Sequence, residues 1–203
     1  QELMTKDATI REIHHRVKNN LQTVSALLRL QSRRSSEEAV KVALAEAERR
    51  VQAIATVHAA LSQNVDESVD FDEVARTIVR MAGAIASTDH SVEVITTGSF
   101  GTIQADQAQA LATVLNELVA NSVEHGLADR DGLIEVRAER EGTSMTVTVA
   151  DNGVGFVPGT PMSGLGTQIV HQMVRGELKG SIEWAPREGG GTLVTLHANL
   201  DPA

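Results

Sequence analysis

From residue 3 to residue 34 the chain alternates apolar and polar positions in steps of three and four, with no Gly or Pro. Ile10, Ile13, Val17, Leu21, Val24 and Leu28 would form one stripe along a helix. After "RRSSEEA" a second such pattern runs through Val40, Leu44, Ala47, Val51, Ile54, His58 and Leu61, a heptad-like seam. Ser35 and Glu38 have capping-box spacing and predict where this helix starts. So short a join makes the two helices antiparallel neighbours. A two-helix hairpin leaves its seam half covered. Pairing with a second copy into a four-helix bundle would cover it; packing on the rest of the chain is the alternative.

The polar stretch "SQNVDESVD" ends the helical pattern, and the boundary is placed so that 1–65 and 66–203 are separate domains. Beyond it the periods mix. "FDEVARTIVRMAGAIA" reads as a helix and "SVEVITTG" as a strand. "ADQAQALATVLNELVANSVEHG" is a helix stopped by Gly126. "LIEVRAER" and "SMTVTVAD" read as a hairpin. "GTQIVHQMVRGEL" is a helix, and "GSIEWAP" and "GTLVTLHANL" are closing strands. This order predicts a mixed sheet with helices on one face, an α/β sandwich.

Composition narrows the chemistry. The chain has no Cys and one Trp, and carries a formal charge of −9. Disulfides and thiolate metal sites are excluded, and the lack of thiols fits a reducing, cytoplasmic setting. The negative balance argues against direct nucleic-acid binding. No run reaches the ~18 apolar residues of a membrane-spanning helix.

Three glycine clusters follow in order: "DNGVGF" (151–156), "SGLGTQIV" (163–170) and "GGGT" (189–192). Gly153 and Gly155 after a strand are equally a turn, and "GGGT" equally a hairpin loop. "GLGTQIV" is more informative, because bare N–H groups at a helix start favour phosphate. Upstream, Glu117 and Asn121 are one helical turn apart. An Asn oxygen is able to complete the shell of a phosphate-held Mg²⁺, and a Glu one turn earlier is able to orient or deprotonate a nucleophile. An ordinary solvated helix face is the alternative for that pair.

The combined order, E-x-x-x-N, D-x-G-x-G, G-x-G-T before a helix and G-G-T before a last strand, resembles the Bergerat ATP-binding fold. Histidine kinases, Hsp90, MutL and type II topoisomerases share it. The resemblance implies ATP and Mg²⁺ as cofactors, with Asn121 as the Mg²⁺ ligand and Asp151 as the acceptor for the adenine amino group. It implies Gly153 and Gly155 against the base, Thr192 beside it, and Gly164, Leu165, Gly166 and Thr167 near the phosphates. Residues 156–163 would be a lid. His125, one turn after Asn121, is a further candidate near the phosphates.

"HHRVKNNLQ" in the first helix resembles the HisKA_2 type of histidine-kinase phosphoacceptor, whose motif centres on H-R-V-K-N. The resemblance names His15. It implies a homodimer, a response-regulator receiver domain as partner, and sensing input upstream of Gln1. The closest likeness, to actinobacterial members, implies regulators of the ANTAR RNA-binding type. The remaining alternatives are a Bergerat-type ATPase or serine/threonine-type kinase, and a nucleotide-binding scaffold.

Helix geometry points to the same histidine. At about 100° per residue, His14 falls roughly 70° from the stripe centre and His15 roughly 170° away, on the polar face. His14 then packs at a boundary, as His58 does on the other seam, while His15 is accessible. His90 and His197 read as surface or loop positions, and Arg49 and Arg50 as solvated. The resemblance places an acidic residue after the phosphoacceptor in many relatives, whereas here Arg16 follows it. Glu117, facing the γ-phosphate and polarising the His15 imidazole, is the candidate base, with Glu12 its competitor.

Overall fold

In a computed structural model, which describes residues 2–64, 66–86, 90–128, 130–159 and 164–202, the two long periodicities become helices α1, Glu2–Arg34, and α2, Glu38–Leu61. The chain divides into two compact units, Gln1–Val69 and Asp70–Ala203. The three-residue strand β1, Ser68–Asp70, spans that division.

In the first unit α1 packs against α2. The capping box does not form. Glu37 is the cap residue and makes no side-chain bond, and Ser35 Oγ accepts from the Glu37 amide at 3.2 Å instead. The Ser35 side chain therefore serves a tight local turn, two residues ahead, and is not free for the helix N-terminus. The predicted α1 stripe divides in two. Val17, Leu21 and Leu28 are half-buried and Ser25 is 1% exposed, while Ile13 and Val24 remain 52% and 41% exposed. The apolar arc is wider than one partner helix covers. With Leu27 and Leu30, Ile13 and Val24 leave an exposed apolar row.

On α2 the most buried line is Arg49, Ala53, Val57 and Leu61, at steps of four, rather than the predicted seam. Arg49, expected in solvent, is buried because it begins this line. Arg50 is also partly covered, with Glu46 at 3.9 Å. Gln52 Nε2 donates to Ser25 Oγ at 2.9 Å, and Arg29 pairs with Glu48 at 2.7 Å.

His14 faces α2. Its Nδ1 lies 3.0 Å from His58 Nδ1, and its Nε2 lies 3.8 Å from a Glu67 oxygen. Burial, followed by the His14 charge, lowers the His58 pKa below the ordinary 6.5. The unfolded chain therefore binds a proton here that the folded one resists. The resulting stability is present above about pH 6.5 and is lost as pH falls below it. The melting temperature is expected to drop between pH 7.5 and 5.5, and His58→Gln should flatten that slope in a pH series of thermal melts.

In the second unit α3 (Phe71–Ala86), β2 (Val92–Gly98), β3 (Thr102–Gln104) and α4 (Ala105–Asn121) precede a hairpin of β4 (Gly132–Glu141) and β5 (Ser144–Asp151). Helix α5 (Leu165–Arg175) and strands β6 (Ser181–Pro186) and β7 (Thr192–Asn199) follow. The main sheet runs β2-β4-β5-β7-β6, with β2 parallel to β4 and the other pairs antiparallel. Period-two burial marks its covered face: Ile134, Val136, Met145, Val147, Val149, Val194 and Leu196 are almost inaccessible. Arg137, Glu139 and His197 project to the other side, toward solvent. Helix α4 packs between α3 and α5, which explains why Leu111, Leu115 and Leu118 are fully buried.

Two polar clamps tie the loop before β3. The Asp72 carboxylate accepts from the Phe100 amide at 2.6 Å and from the Ser99 hydroxyl at 2.9 Å. Arg140 Nη1 donates to the Phe100 and Thr102 carbonyls. Trp184 on β6 lies against His171 of α5, their ring centroids 5.4 Å apart. No described helix is long and apolar enough to cross a membrane.

Candidate functional site

Strand β5 ends on Asp151, in register with Ile134 of β4, so its carboxylate sits where the sheet gives way to a loop. Asp151 is 2% exposed. Its Oδ1 accepts from the Gly153 amide at 3.0 Å and the Thr192 amide at 3.3 Å, and the Ser122 hydroxyl donates to the carboxylate as well. Burial raises its pKa above the carboxylate norm, while the two amides, the Arg187 charge and Ser122 hold it partly down. An ionised carboxylate has room for about four hydrogen bonds. Acceptor capacity therefore remains for a ligand N–H.

The turn after α4 supplies the wall. The helix widens into a π-turn over Ser122–Gly126, closed by the Leu127 amide on the Ser122 carbonyl at 2.8 Å. The extra residue turns the chain beyond it to a new direction, as such bulges commonly do near functional sites. Gly126 lies flush against the Asp151 carboxylate, and a Cβ there would collide with it. Gly153 lies equally close to the Gly126 carbonyl, which accepts from the Val154 amide at 2.7 Å. Only residues without a side chain let these two loops close around the carboxylate. Asn121, half-buried, is the last residue of α4, and Glu117, 1% exposed, precedes it by one turn. His125 is exposed on the π-turn.

Gly164 precedes α5 with φ 130° and makes no side-chain cap. The first intrahelical bond is Gln168 N–H to the Gly164 carbonyl, at 3.2 Å. The N–H groups of Leu165, Gly166 and Thr167 precede that bond and have no acceptor within the helix. Leu165 is 60% exposed and Thr167 8%. Of the expected lid, 156–159 are described, and 160–163 lie outside the described residues.

In the first unit His15 is exposed on α1, about 100° around the helix from His14. The Asn19 amide nitrogen Nδ2 lies 3.3 Å from His15 Nδ1. Glu12 binds Arg16 at 2.9 Å, one turn along the same surface.

The structure thus brings Asp151, Gly153 and Thr192 into one cluster, and Asn121 and Glu117 onto the helix that feeds it. Sequence reasoning misses Ser122 and Arg187, and reads Gly126 only as a helix stop. On a regular helix Ser122 would point about 100° away from Asn121, and the π-turn carries no sequence signature that periodicity detects. Among the described residues no cluster of three or more His, Asp or Glu is arranged to hold a metal ion without a ligand's help.

Comparison with known proteins identifies relatives of both parts of the chain. Residues 12–85 match the family model described as "Histidine kinase", and residues 106–202 match "Histidine kinase-, DNA gyrase B-, and HSP90-like ATPase". Over 203 residues the chain is 46% identical to a sensor histidine kinase, PdtaS, of Mycolicibacterium smegmatis, covering 98% of this chain and 41% of that protein. Identity to the Mycobacterium tuberculosis PdtaS is also 46%, over 96% of this chain and 40% of the relative. The chain spans about two-fifths of the length of these curated relatives. Among solved structures, the histidine kinase domain of the Erythrobacter litoralis blue-light-activated kinase EL346 superposes with TM-score 0.66 at 23% identity, covering 98% of this chain and 94% of that domain.

Proposed function

Because the chain belongs to the histidine kinase family, we propose that it is the phosphoacceptor and ATP-binding core of a two-component sensor kinase, acting in the cytoplasm. It moves the γ-phosphoryl group of ATP to His15 and then to an aspartate of a response-regulator receiver domain. The observation that carries this reading is the buried Asp151 carboxylate, which keeps acceptor capacity for an adenine amino group. Gly153, Gly155 and Thr192 line the base side of that cluster. The N–H groups at Leu165, Gly166 and Thr167 suit phosphate, since a helix start carries partial positive charge. Asn121 offers a neutral oxygen for Mg²⁺, which when bound neutralises charge on the triphosphate. His125, exposed on the π-turn that follows, is a further candidate near the phosphates. Regulators of the ANTAR type fit the likeness of "TKDATIREIHHRVKNNLQTV" to actinobacterial kinases.

Incubation with γ-labelled ATP and Mg²⁺ tests the reading. Acid-labile, alkali-stable label retained on the protein and passed to a receiver domain supports it. Quantitative release as inorganic phosphate, with no labelled protein, would instead indicate an ATPase without phosphohistidine.

Glu117 is the proposed base for the proton released from His15. A positioned base contributes about 10²–10⁴-fold. Glu117→Gln is therefore expected to slow labelling by about that factor while nucleotide affinity changes only a few-fold, as read from a labelling time course beside a binding titration.

The exposed row of Ile13, Val24, Leu27 and Leu30 is the proposed dimer face. A charge there meets solvent in one protomer but is desolvated in a pair, at a cost of several kcal/mol. Leu27→Asp should leave the thermal melt of a single protomer nearly unchanged and shift the mass measured by light scattering to that of a monomer. A parent protein that is already monomeric at micromolar concentration would remove the proposal.

A further inference from the structure

We infer that Asn19 is a positioning residue that selects which nitrogen of His15 is the nucleophile, an inference that rests on the phosphotransfer reading above. The amide nitrogen Nδ2 of Asn19 lies 3.3 Å from His15 Nδ1, one helical turn away. A half-turn of an amide exchanges its nitrogen and oxygen in nearly the same space, so the chemistry of the pair decides which end faces the ring. A neutral imidazole carries its proton on one nitrogen and a lone pair on the other. If the amide nitrogen faced Nδ1, it would donate there, the proton would sit on Nε2, and the ring tip would have no lone pair to attack with. If Oδ1 faces Nδ1, it accepts the Nδ1–H bond and leaves the lone pair on Nε2.

Three observations favour the second arrangement. His15 is exposed, so its ring tip is the nitrogen with room for a phosphoryl group. Arg16, the residue directly after His15, is a cation with no acceptor to offer and pairs with Glu12 at 2.9 Å, whereas the group that lies against Nδ1 is the Asn19 amide. On the other side, His14 is turned toward His58 and does not compete for the ring. Asn19 is then the group on this surface able to hold the Nδ1 proton. An amide is also a poor base, so it fixes the proton's position without removing it.

In the transfer step the Nε2 lone pair forms the N–P bond as the bond from phosphorus to the β–γ bridging oxygen breaks. That oxygen leaves with its electron pair as ADP. The Nδ1 proton stays bonded to the ring, shared with Asn19 Oδ1, while positive charge develops on the imidazole, and it passes afterwards to the base of the reading above.

Three substitutions in the full 203-residue chain separate the roles. Asn19→Asp keeps an acceptor and has no donor. Asn19→Lys keeps donors and has no acceptor. Asn19→Leu has neither. Labelling of His15 from γ-labelled ATP is expected to persist within a few-fold in Asn19→Asp, to fall about tenfold in Asn19→Leu, and to fall further in Asn19→Lys. The last loss would occur although a lysine adds attraction for phosphate. Nitrogen-15 spectra of labelled histidine above pH 8 give an independent readout: Nε2 should be the unprotonated nitrogen of His15 in the parent and in Asn19→Asp, and the preference should be lost or reversed in Asn19→Lys. Equal labelling by all four proteins, equal losses in Asp and Lys, or a bare Nδ1 in the parent would each overturn the inference. If the parent itself takes up no label, the phosphotransfer reading fails, while the spectra still decide the tautomer.

Discussion

His15→Gln is expected to abolish the acid-labile label, while His14→Gln keeps most of it. The two histidines are adjacent in sequence yet occupy different environments. His15 is exposed. His14 is turned into the hairpin, with Nδ1 3.0 Å from His58. Glutamine preserves a polar side chain of similar length but offers no nucleophilic nitrogen, so the loss at position 15 should be complete within detection. At position 14 the same change replaces one hydrogen-bonding partner of His58 by another. Its effect should appear mainly in the thermal melt, at the ~1 kcal/mol scale of one hydrogen bond. Equal loss of label in both variants, with both proteins folded, would mean that the hairpin's packing rather than a single nucleophile was being measured.

Asp151→Asn should weaken nucleotide binding by about 10- to 100-fold, from the ~1.5–3 kcal/mol carried by a hydrogen bond to a charged group. The site makes this swap costly in a specific way. Oδ1 is already occupied by the Gly153 and Thr192 amides. An Asn must keep its one oxygen there and turn its NH₂ toward the ligand, donor against donor. Stability should move the other way or not at all. Burial raises the Asp151 pKa, so the ionised carboxylate opposes folding at neutral pH, and a neutral amide removes that cost. Reduced affinity with an unchanged or higher melting temperature is the expected pair of results, whereas loss of both would identify a folding defect. The same shift sets a pH limit. Adenine needs the ionised form, so affinity should be present at neutral pH and fall as pH drops through a range above the ordinary ~3.9 of Asp, as titrations of nucleotide at successive pH values would show.

Much of this architecture is readable from periodicity. The sequence predicts α1 over 3–34 and the structure has Glu2–Arg34; every strand of the main sheet falls on an alternating segment, because period-two burial leaves a direct trace. The three-residue strands β1 and β3 are absent from that reading, since three residues hold too little alternation to register. Ser35 misleads because a capping box and a local turn use the same residue types. Arg49 misleads for a related reason. A charge is an argument for solvent only until its helical line, here Ala53, Val57 and Leu61, is known to be buried. In the site, Asp151 and the glycines are legible because their motifs lie in loops with fixed spacing. Ser122 and Gly126 are not. Their contribution depends on a change of helical pitch, and pitch is decided by what packs on the turn.

The lone indole of a chain without tyrosine has an optical consequence. Nearly all emission excited at the long-wavelength edge of aromatic absorption must come from Trp184, whose neighbour His171 stands 5.4 Å away on α5. That helix begins at Gly164–Gly166, where phosphate is proposed to bind. Any nucleotide that moves the helix start therefore alters the surroundings of the indole and with them the signal. The protein carries an intrinsic fluorophore coupled to its ligand-facing helix, and a stopped-flow trace without any attached dye would report nucleotide binding.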